Sequence, residues 1–298
     1  MKVAIFGNSY KTENLSLLPT LFEVLARKGA SSCMEKSFYD FVRERSTCAL
    51  PVELLNADEP FTADLAVSIG GDGTFLRTAV HVGRKGIPII GINTGRLGFL
   101  ADIASTDIVQ PFEQILDRNF VIEERDLLEL RCEQGGEIVP LQHNIALNEV
   151  AVLKQDSSSM IGIRTCINGE HLITYQGDGL LVATPTGSTA YSMSVGGPLL
   201  VPQAKNIILT PIASHSLTVR PLVITNDYEI SLTVSSRTNS FLASVDGCST
   251  VFHAADDTIL HIKKADYSIK VVKQKDHNFF NTLRNKLMWG VDKREIRL

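Results

Sequence analysis

One stretch, residues 64–76, constrains the fold more than any other part of the sequence. Residues 65–69 form a short and nearly continuous apolar run, which is typical of a strand buried on both faces of a parallel sheet. The run ends at Gly-Gly-Asp-Gly-Thr, residues 70–74, whose glycines allow a sharp turn, a positive φ and a close approach of a ligand to the backbone. Apolar residues then recur at helical spacing from Phe75 to Val80. The stretch therefore predicts a strand, a glycine turn and the N-terminus of a helix.

The glycine turn suits an anion, because the first amides of a helix lack acceptors and the helix dipole favours negative charge there. Asp72 lies inside this turn, where it would repel a phosphate directly. Its presence makes sense if a metal ion sits between them, or if Asp72 takes a proton from an attacking hydroxyl. Arg77, one helical turn further on, either reaches a phosphate or is solvated. An ordinary strand-to-helix turn with an acid near the helix start is the alternative without chemistry.

Composition excludes several classes of protein. The 298 residues suffice for one or two domains, and a net charge of −4 gives no bulk attraction to nucleic acid or to anionic membranes. No apolar run approaches the roughly 18 residues that span a bilayer. Five scattered cysteines form no C-x-x-C pair, so we expect reduced thiols in a cytoplasmic protein without structural zinc. Neither these cysteines nor the seven histidines show the spacing of metal ligands.

The N-terminal part of the chain predicts an α/β domain with a Rossmann-like parallel sheet. Strands at residues 2–6, 65–69 and 86–93 alternate with helices, one of them carrying Met34, Phe38, Phe41 and Val42 on its apolar face. Ligands bind at the carboxyl ends of such strands. Residues 70–74 and 93–98 both follow strands, and we therefore expect them to face one crevice.

From about residue 122 the pattern changes to short alternating runs separated by turn residues, which predicts an all-β, sandwich-like domain over 122–273. Asn168-Gly169 between two such runs is a strong hairpin signal. Residues 258–263 and 267–273 are predicted as two separate strands. A last helix over 278–289, with Phe279, Phe280, Leu283 and Leu287 as its apolar face, should return to the first domain, which then comprises 1–121 and 274–298.

Residues 175–198 form a second unusual segment. It is rich in glycine and hydroxyl side chains, yet an apolar strand at 180–183 runs through it, unlike a flexible linker. Closely spaced hydroxyl and backbone groups at 184–189 suit hydrogen bonds to ribose, amide or phosphate, and Asp178 between two glycines is a fixed acceptor. A glycine-rich corner of the sandwich, capped by Ser and Thr, is the structural alternative.

Together these residues resemble the NAD kinase family, whose members phosphorylate NAD to NADP with ATP. The resemblance extends in order and spacing from about residue 60 to 250. It rests on the following motifs: Gly-Gly-Asp-Gly-Thr at 70–74, Asn-Thr-Gly-Arg-Leu-Gly-Phe at 93–99, Asn148-Glu149, Gly-Asp-Gly-Leu at 177–180, and Thr-Pro-Thr-Gly-Ser-Thr-Ala-Tyr at 184–191. The glycine loop alone is shared with lipid kinases, whereas the long second segment is similar to NAD kinases specifically.

The resemblance implies a role for each matching residue. Asp72 would be the catalytic residue that orients or deprotonates the 2′-hydroxyl of the adenosine ribose, and the donor phosphates would be held by Gly70, Gly71, Gly73 and Thr74. Asn148 and Glu149 would bind the adenosine. Further NAD contacts would come from Gly73, Arg77, Phe99, Asp178, Thr186, Thr189, Ala190, Tyr191, Ser192, Met193 and Ser194. Gln176 stands where several members carry a basic residue, and neither Gln176 nor Asp246 is assigned a role.

The resemblance also implies a divalent metal cofactor, with Mg²⁺ expected, and a homodimer or homotetramer whose NAD sites are completed by a neighbouring subunit. Two other functions stay open on sequence grounds. A lipid kinase for diacylglycerol or a sphingoid base would share the glycine loop but would need an apolar acyl pocket. A non-catalytic NAD(H) sensor would be expected to have lost Asp72 or the loop glycines, and this sequence keeps them.

Overall fold

The computed structural model describes residues 1–10, 12–56, 59–95, 98–156, 159–255, 257–275 and 278–289. The chain forms two compact units. The first comprises Met1–Glu124 with Ile269–Leu298, and the second comprises Arg125–Ser268. The sequence pattern predicts boundaries after residues 121 and 273.

The first unit begins with alternating strands and helices. In chain order these are β1 (Lys2–Gly7), α1 (Leu18–Arg27), β2 (Ser31–Glu35), α2 (Lys36–Arg45), β3 (Glu53–Leu55), β4 (Leu65–Ile69), α3 (Asp72–Val82), β5 (Ile89–Asn93), β6 (Ile103–Ala104) and α4 (Val109–Leu116).

These strands form the predicted parallel sheet, in the order β5-β4-β1-β2-β3, with β6 pairing β5. Every residue of β4 and of β5 is buried, as expected for strands covered on both faces. The helix predicted to include Met34 is wrong at its start. Met34 belongs to β2, and α2 begins at Lys36 after the Glu35 side chain caps it by accepting from the amides of Ser37 and Phe38.

The second unit consists almost entirely of strands. In chain order the elements are β7 (Val121–Gln134), β8 (Glu137–Val139), β9 (Ile145–Ala146), β10 (Glu149–Lys154), β11 (Ile161–Ile167), β12 (Glu170–Gly177), β13 (Gly179–Ala183), α5 (Tyr191–Ser194), β14 (Asn206–Ile212), β15 (Leu222–Thr225), β16 (Ile230–Ser235), β17 (Ser240–Val245), β18 (Cys248–His253) and β19 (Thr258–Lys273).

Two sheets share the core of this unit, as the sandwich prediction requires. One is antiparallel in the order β15-β14-β13-β10-β17-β18, and the other contains β12-β11-β16-β19 with β7 beside β19. Leu180 and Val150 of the first sheet lie in one buried cluster with Leu232 and Leu260 of the second. The hairpin at Asn168-Gly169 is confirmed: both residues have positive φ (49° and 81°) between antiparallel β11 and β12.

The chain ends in the first unit. β19 is one continuous strand rather than the two predicted, and its Val271 pairs in parallel with Ile89 of β5. The last element, α6 (Phe279–Leu287), belongs to the first unit, as predicted. Its buried face differs from the prediction, because Thr282 is buried whereas Phe280 is 55% exposed. Among the described residues, no helix is both long and apolar enough to cross a bilayer.

Candidate active site

The glycine turn joins β4 to α3 as the sequence predicts. Gly70 has a φ of +152°, and a Cβ there would meet the side chain of Thr74, so only glycine fits. Gly71 and Gly73 do not have positive φ. A Cβ at either position would meet nothing within 4 Å. Open space therefore lies over the first turn of α3. The Thr74 and Phe75 amides donate to the Gly71 carbonyl, so the amides of Asp72 and Gly73 are the ones available to an anion.

Asp72, the first residue of α3, has its carboxylate fixed by the chain that follows β5. It accepts hydrogen bonds from the backbone amides of Phe99 (2.7 Å), Leu100 (3.0 Å) and Ala101 (3.3 Å). Gly98 is required beside it, because a Cβ at this position would overlap the carboxylate. A carboxylate offers about four lone-pair directions, so little more than one stays available to a substrate hydroxyl.

The two strand ends that the sequence assigns to one crevice do come together. The buried Asn93 at the end of β5 accepts a hydrogen bond from the Gly95 amide through its side chain (2.8 Å) and starts the loop that returns to Asp72. Arg96 and Leu97 of the predicted motif lie outside the described residues. Thr74 is buried one turn into α3, behind Gly70.

Two lysines from the C-terminal part of the chain contact the segment 99–102 that holds the Asp72 carboxylate. Lys273 at the end of β19 forms a buried ion pair with Asp102. Lys286 of α6 places its ammonium 4.5 Å from the centre of the Phe99 ring. Burial lowers the pKa of Lys286 to about 8, an effect that Asp102 and Asp72 oppose and Lys273 reinforces. Sequence reasoning missed Lys286, although it lies four residues after Thr282 and three after Leu283 on the buried face.

A cavity of about 200 Å³ lies beside the outer face of α3, at the carboxyl end of β1. Arg77 and His81 of α3 line it opposite Tyr10 and Glu35. The His81 ring stacks on Phe6, with 5.7 Å between ring centres and 9° between planes. Aromatic and charged groups around one cavity next to an anion site suit a nucleotide base with its phosphates.

In the second unit, a carboxylate that accepts three backbone amides fixes the backbone of Asn148 and Glu149, as three amides fix the Asp72 carboxylate in the first unit. The carboxylate of Asp246 accepts from three consecutive amides, those of Leu147 (2.7 Å), Asn148 (2.9 Å) and Glu149 (3.0 Å). This gives Asp246, which the sequence leaves without a role, a positioning function. Burial raises the pKa of Glu149 to about 8, with the Asp246 charge acting in the same direction. One Glu149 carboxyl oxygen is buried without a hydrogen-bond partner among the described residues.

The hydroxyl-rich segment folds against this loop. The Thr184 hydroxyl donates to the Leu147 carbonyl (2.6 Å) and accepts from the Gly187 amide (3.1 Å), and Gly187 fits only because a Cβ would overlap the Asn148 backbone. Thr186 is buried and its carbonyl accepts from the Thr189 hydroxyl. The start of the hydroxyl-rich segment, from Thr184 to Gly187, therefore lies next to Asn148.

Within that segment the side chains differ in what they can contact. Tyr191 is 39% exposed and begins α5, followed by Met193 and Ser194. Ser192, in contrast, is fully buried, and its hydroxyl pairs with that of Thr210 (3.2 Å). The NAD contact expected for Ser192 stays a prediction, and in this structure its side chain secures the packing of the turn.

Asp178 stands apart from the other predicted NAD residues. It precedes β13, whereas Thr184 follows it, so the two lie beyond opposite ends of a five-residue strand, about 20 Å apart at the usual rise per residue. Its carboxylate pairs with Lys154 at 2.7 Å. Within one chain, Asp178 therefore does not join the cluster around Asn148. The neighbouring Gln176 is exposed.

The donor set for a metal is sparse. Among the described residues, no group of three or more His, Cys, Asp or Glu side chains could hold a metal ion. Such a set does not fit a cation caged by protein ligands alone. It fits Mg²⁺ bound through phosphate oxygens and water, which is the usual arrangement at nucleotide sites.

Comparison with known proteins agrees with this geometry. The family models of the ATP-NAD kinase N-terminal and C-terminal domains match residues 3–120 and 147–274. The NAD kinase of Bacteroides fragilis is 52% identical over 295 residues, covering 99% of this chain and 100% of that protein. The crystal structure of an NAD kinase from Archaeoglobus fulgidus in complex with ATP has a TM-score of 0.74 at 25% identity, covering 97% and 99% of the two chains. Yeast NADH kinase complexed with NADH has a TM-score of 0.86 at 21% identity, covering 100% of this chain and 90% of that one, and shows the same fold. The chain therefore belongs to the NAD kinase family.

Proposed function

We propose that this protein transfers the γ-phosphoryl group of ATP to the 2′-hydroxyl of the adenosine ribose of NAD, producing NADP. The observation that carries the proposal is the Asp72 carboxylate, fixed by three backbone amides beside open space over Gly71 and Gly73. This arrangement supplies an acceptor for a hydroxyl proton and amides for a phosphate in the same turn. The NAD kinase family to which the chain belongs supports this choice of substrates.

Phosphoryl transfer depends on alignment and on neutralising charge rather than on covalent help from the protein. The donor phosphates bind over the glycine turn, with Gly70, Gly71, Gly73 and Thr74 shaping it. The 2′-hydroxyl donates its hydrogen bond to the free lone-pair direction of Asp72. Because a ribose hydroxyl is a very weak acid, Asp72 takes the proton late, as the new bond to phosphorus forms.

For the acceptor, we assign Asn148 and Glu149 to the adenosine and Phe99 to the wall of the dinucleotide pocket. Thr186, Thr189, Ala190, Tyr191, Met193 and Ser194 provide the remaining contacts. Arg77 faces the cavity on the outer side of α3, which favours a contact with the donor nucleotide for this residue. Two observations support the polar character of the acceptor site: Asp246 holds the Asn148–Glu149 backbone, and Thr184 ties the hydroxyl-rich turn to it.

We assign Asp178 to the NAD site of a neighbouring subunit in a homodimer or homotetramer. Its position at the far end of β13 from Thr184 supports this assignment. Complementation tests it: Asp178→Ala and Asn148→Ala chains, each inactive alone, should regain activity when co-expressed, since mixed oligomers contain intact sites. Absence of recovery in purified mixed oligomers would contradict shared sites.

The divalent cation, Mg²⁺ in our proposal, is held largely by the phosphates of ATP, since the described residues offer no protein cage. When bound, it neutralises phosphate charge during transfer. Cys33, Cys48, Cys132, Cys166 and Cys248 are all free, which fits the cytoplasmic location that we propose. A non-catalytic sensor gains no support, because Asp72 and the glycine turn are intact. A lipid kinase gains none, because the family models and relatives that match this chain are NAD kinases.

The proposed function is tested with purified protein, Mg²⁺, NAD and a panel of phosphate donors, and NADP is measured with an NADP-specific dehydrogenase. We expect NADP to accumulate with ATP and to disappear on addition of excess EDTA. No NADP with any donor would refute the function. Undiminished NADP in EDTA would refute the metal requirement alone.

A further inference from the structure

Lys286 is a charged side chain placed inside the first unit without a hydrogen-bonding partner. It lies on α6, and its ammonium nitrogen is shielded from solvent with no hydrogen bond to any described residue. Its close neighbour is the face of the Phe99 ring, 4.5 Å from the ring centre. An ammonium has three N–H donors, and a cation–π contact replaces only part of the hydration that these donors lose.

The other charged groups nearby already have partners. Lys273 and Asp102 form an ion pair, and the Asp72 carboxylate accepts three amides. Asp72 and Asp102 nevertheless lie close enough to favour the charged form of Lys286, against burial and the charge of Lys273. The site therefore contains one positive charge that the described residues neither pair nor solvate.

Phe99 connects this charge to the proposed chemistry. Its amide donates to Asp72 at 2.7 Å, and its ring carries the ammonium of Lys286. Phe99 therefore contacts both groups: the Asp72 carboxylate, which accepts the hydroxyl proton in the proposed reaction, and the Lys286 ammonium, which has no hydrogen-bond partner among the described residues. A group that is costly to bury and unused in the free protein is typical of a site whose ligand supplies the missing bonds.

We propose that Lys286 is a catalytic residue that donates hydrogen bonds to the phosphoryl group in transit from ATP to the ribose hydroxyl. The proposal rests on the proposed NAD kinase function. In the step, the ribose oxygen bonds to the γ-phosphorus and the bond from that phosphorus to the β,γ-bridging oxygen breaks. ADP leaves with the bonding electron pair, and the hydroxyl proton passes to Asp72. Lys286 keeps its protons throughout and stabilises the charge on the oxygens of the transferred group.

The first test compares Lys286→Met with wild type. Methionine keeps an unbranched apolar side chain, one atom shorter, that still contacts Phe99, and it removes the ammonium group with its charge and its three donors. We expect kcat to fall by about 10²–10³, the usual effect of losing one donor to a developing charge, while the NAD dissociation constant changes less than about threefold. The melting temperature should stay the same or rise, because an unpaired buried charge is removed. Arg284→Met is the matched control: Arg284 is an exposed cation on α6 that bonds only Asn281 among the described residues, and its loss should leave kcat unchanged.

A binding test needs no turnover. Tripolyphosphate, added in EDTA and measured by calorimetry, should bind wild type and Arg284→Met equally but Lys286→Met at least tenfold more weakly. Equal binding to all three proteins, or a kcat of Lys286→Met within threefold of wild type, would overturn the role of Lys286. A lower melting temperature that accounts for the lost activity would overturn it too, because it would indicate a structural role. If wild type itself made no NADP, the proposed function would fail. The tripolyphosphate measurement would still show whether Lys286 binds phosphate, because it does not depend on turnover.

The pH profile adds an independent readout. Since the pKa of Lys286 is lowered to about 8, kcat/KM for ATP should decline as pH rises through that value and the ammonium loses its proton. The facing groups that set this value are Asp72, Asp102 and Lys273. In Lys286→Arg the guanidinium stays charged throughout this pH range. Its kcat/KM for ATP should therefore not decline near pH 8, even if the value itself differs from that of wild type. An unchanged alkaline decline in Lys286→Arg would contradict the assignment.

Discussion

Replacing Asp72 by asparagine separates what this residue does for stability from what it does for chemistry. In the native protein both carboxylate oxygens accept backbone amides. Asparagine presents one oxygen and one NH₂ group, so it must turn a donor towards either Phe99 or the pair Leu100 and Ala101. Orienting the oxygen to Leu100 and Ala101 keeps two bonds and loses the short bond to Phe99.

The cost of that exchange follows from the bond that is lost. A hydrogen bond to a charged group contributes about 1.5–3 kcal/mol, and the melting temperature of a protein of this size falls about 2–4 °C for each kcal/mol. Even if the native protein is stable by only about 5 kcal/mol, a loss of about 3 kcal/mol leaves well over 90% of the molecules folded. Loss of the proton acceptor, in contrast, lowers kcat by about 10²–10⁴. The catalytic effect therefore exceeds the effect of unfolding by far.

The assay measures kcat from NADP formation, NAD affinity from equilibrium binding, and the melting temperature of the same preparation. We expect Asp72→Asn to bind NAD nearly normally, to melt several degrees lower and to turn over at least a hundredfold more slowly. Asp64→Ala is a control for stability, because the Asp64 carboxylate accepts the Lys2 backbone amide (2.7 Å) before the start of β4, at the end of the strand away from the glycine turn. It should melt lower to a similar extent with a far smaller change in kcat. A near-normal kcat for Asp72→Asn would refute the reasoning.

Two further predictions follow from the same structure. Gly70→Ala should lower the free energy of unfolding by about 1–3 kcal/mol, and so melt at a clearly lower temperature, because its φ is +152° and its Cβ would meet Thr74. Gly73→Ala has room for its Cβ, so it should fold normally but raise the KM for ATP about tenfold or more. The contrast fails if both variants melt at the same temperature or if Gly73→Ala leaves the KM unchanged. For Glu149, whose pKa is raised by burial from 4.5 to about 8, the protonated form is favoured on folding, so its contribution to stability is present at low pH and is lost as pH rises from about 4.5 to about 8. Glu149→Gln should therefore gain melting temperature relative to wild type as pH rises across that window, and parallel curves for the two proteins would show that Glu149 does not titrate there.

The sequence predicts those parts of the fold in which local pattern and environment agree. The apolar run of β4, the glycine turn and the Asn168-Gly169 hairpin each have one favourable local solution, and all were confirmed. Met34 shows the limit: its spacing to Phe38, Phe41 and Val42 fits one helix face, but Glu35 caps the helix between them. The sequence predicts two strands where β19 is continuous, because its middle carries charged residues, and a long strand tolerates these where the side chain faces solvent.

The site was predictable where function needs unusual residues close together in sequence. Asp72 stands out because an acid in an anion-binding turn is unusual. Asp246 and Lys286 do not stand out locally, since their importance comes from contacts with residues about one hundred or more positions away. Of these two residues, only Lys286 could be recognised from the sequence, because it places a charge on the inward face of an amphipathic helix. Ser192 shows that a hydroxyl in a segment predicted to bind a ligand also stabilises the packing of its own turn.

The choice of acceptor tests the proposed function most directly. With labelled ATP and Mg²⁺, the protein should be offered NAD, NADH, nicotinamide mononucleotide, diacylglycerol and a sphingoid base side by side. A site lined by buried polar groups such as Asn148 and Glu149 penalises a ligand that leaves them unpaired, by about 1–3 kcal/mol for each group. We predict label in the dinucleotide at the adenosine 2′ position, little in the mononucleotide, which lacks the adenosine ribose, and none in lipid. Label in lipid, or equal label in the mononucleotide, would contradict phosphorylation of NAD as the function of this protein.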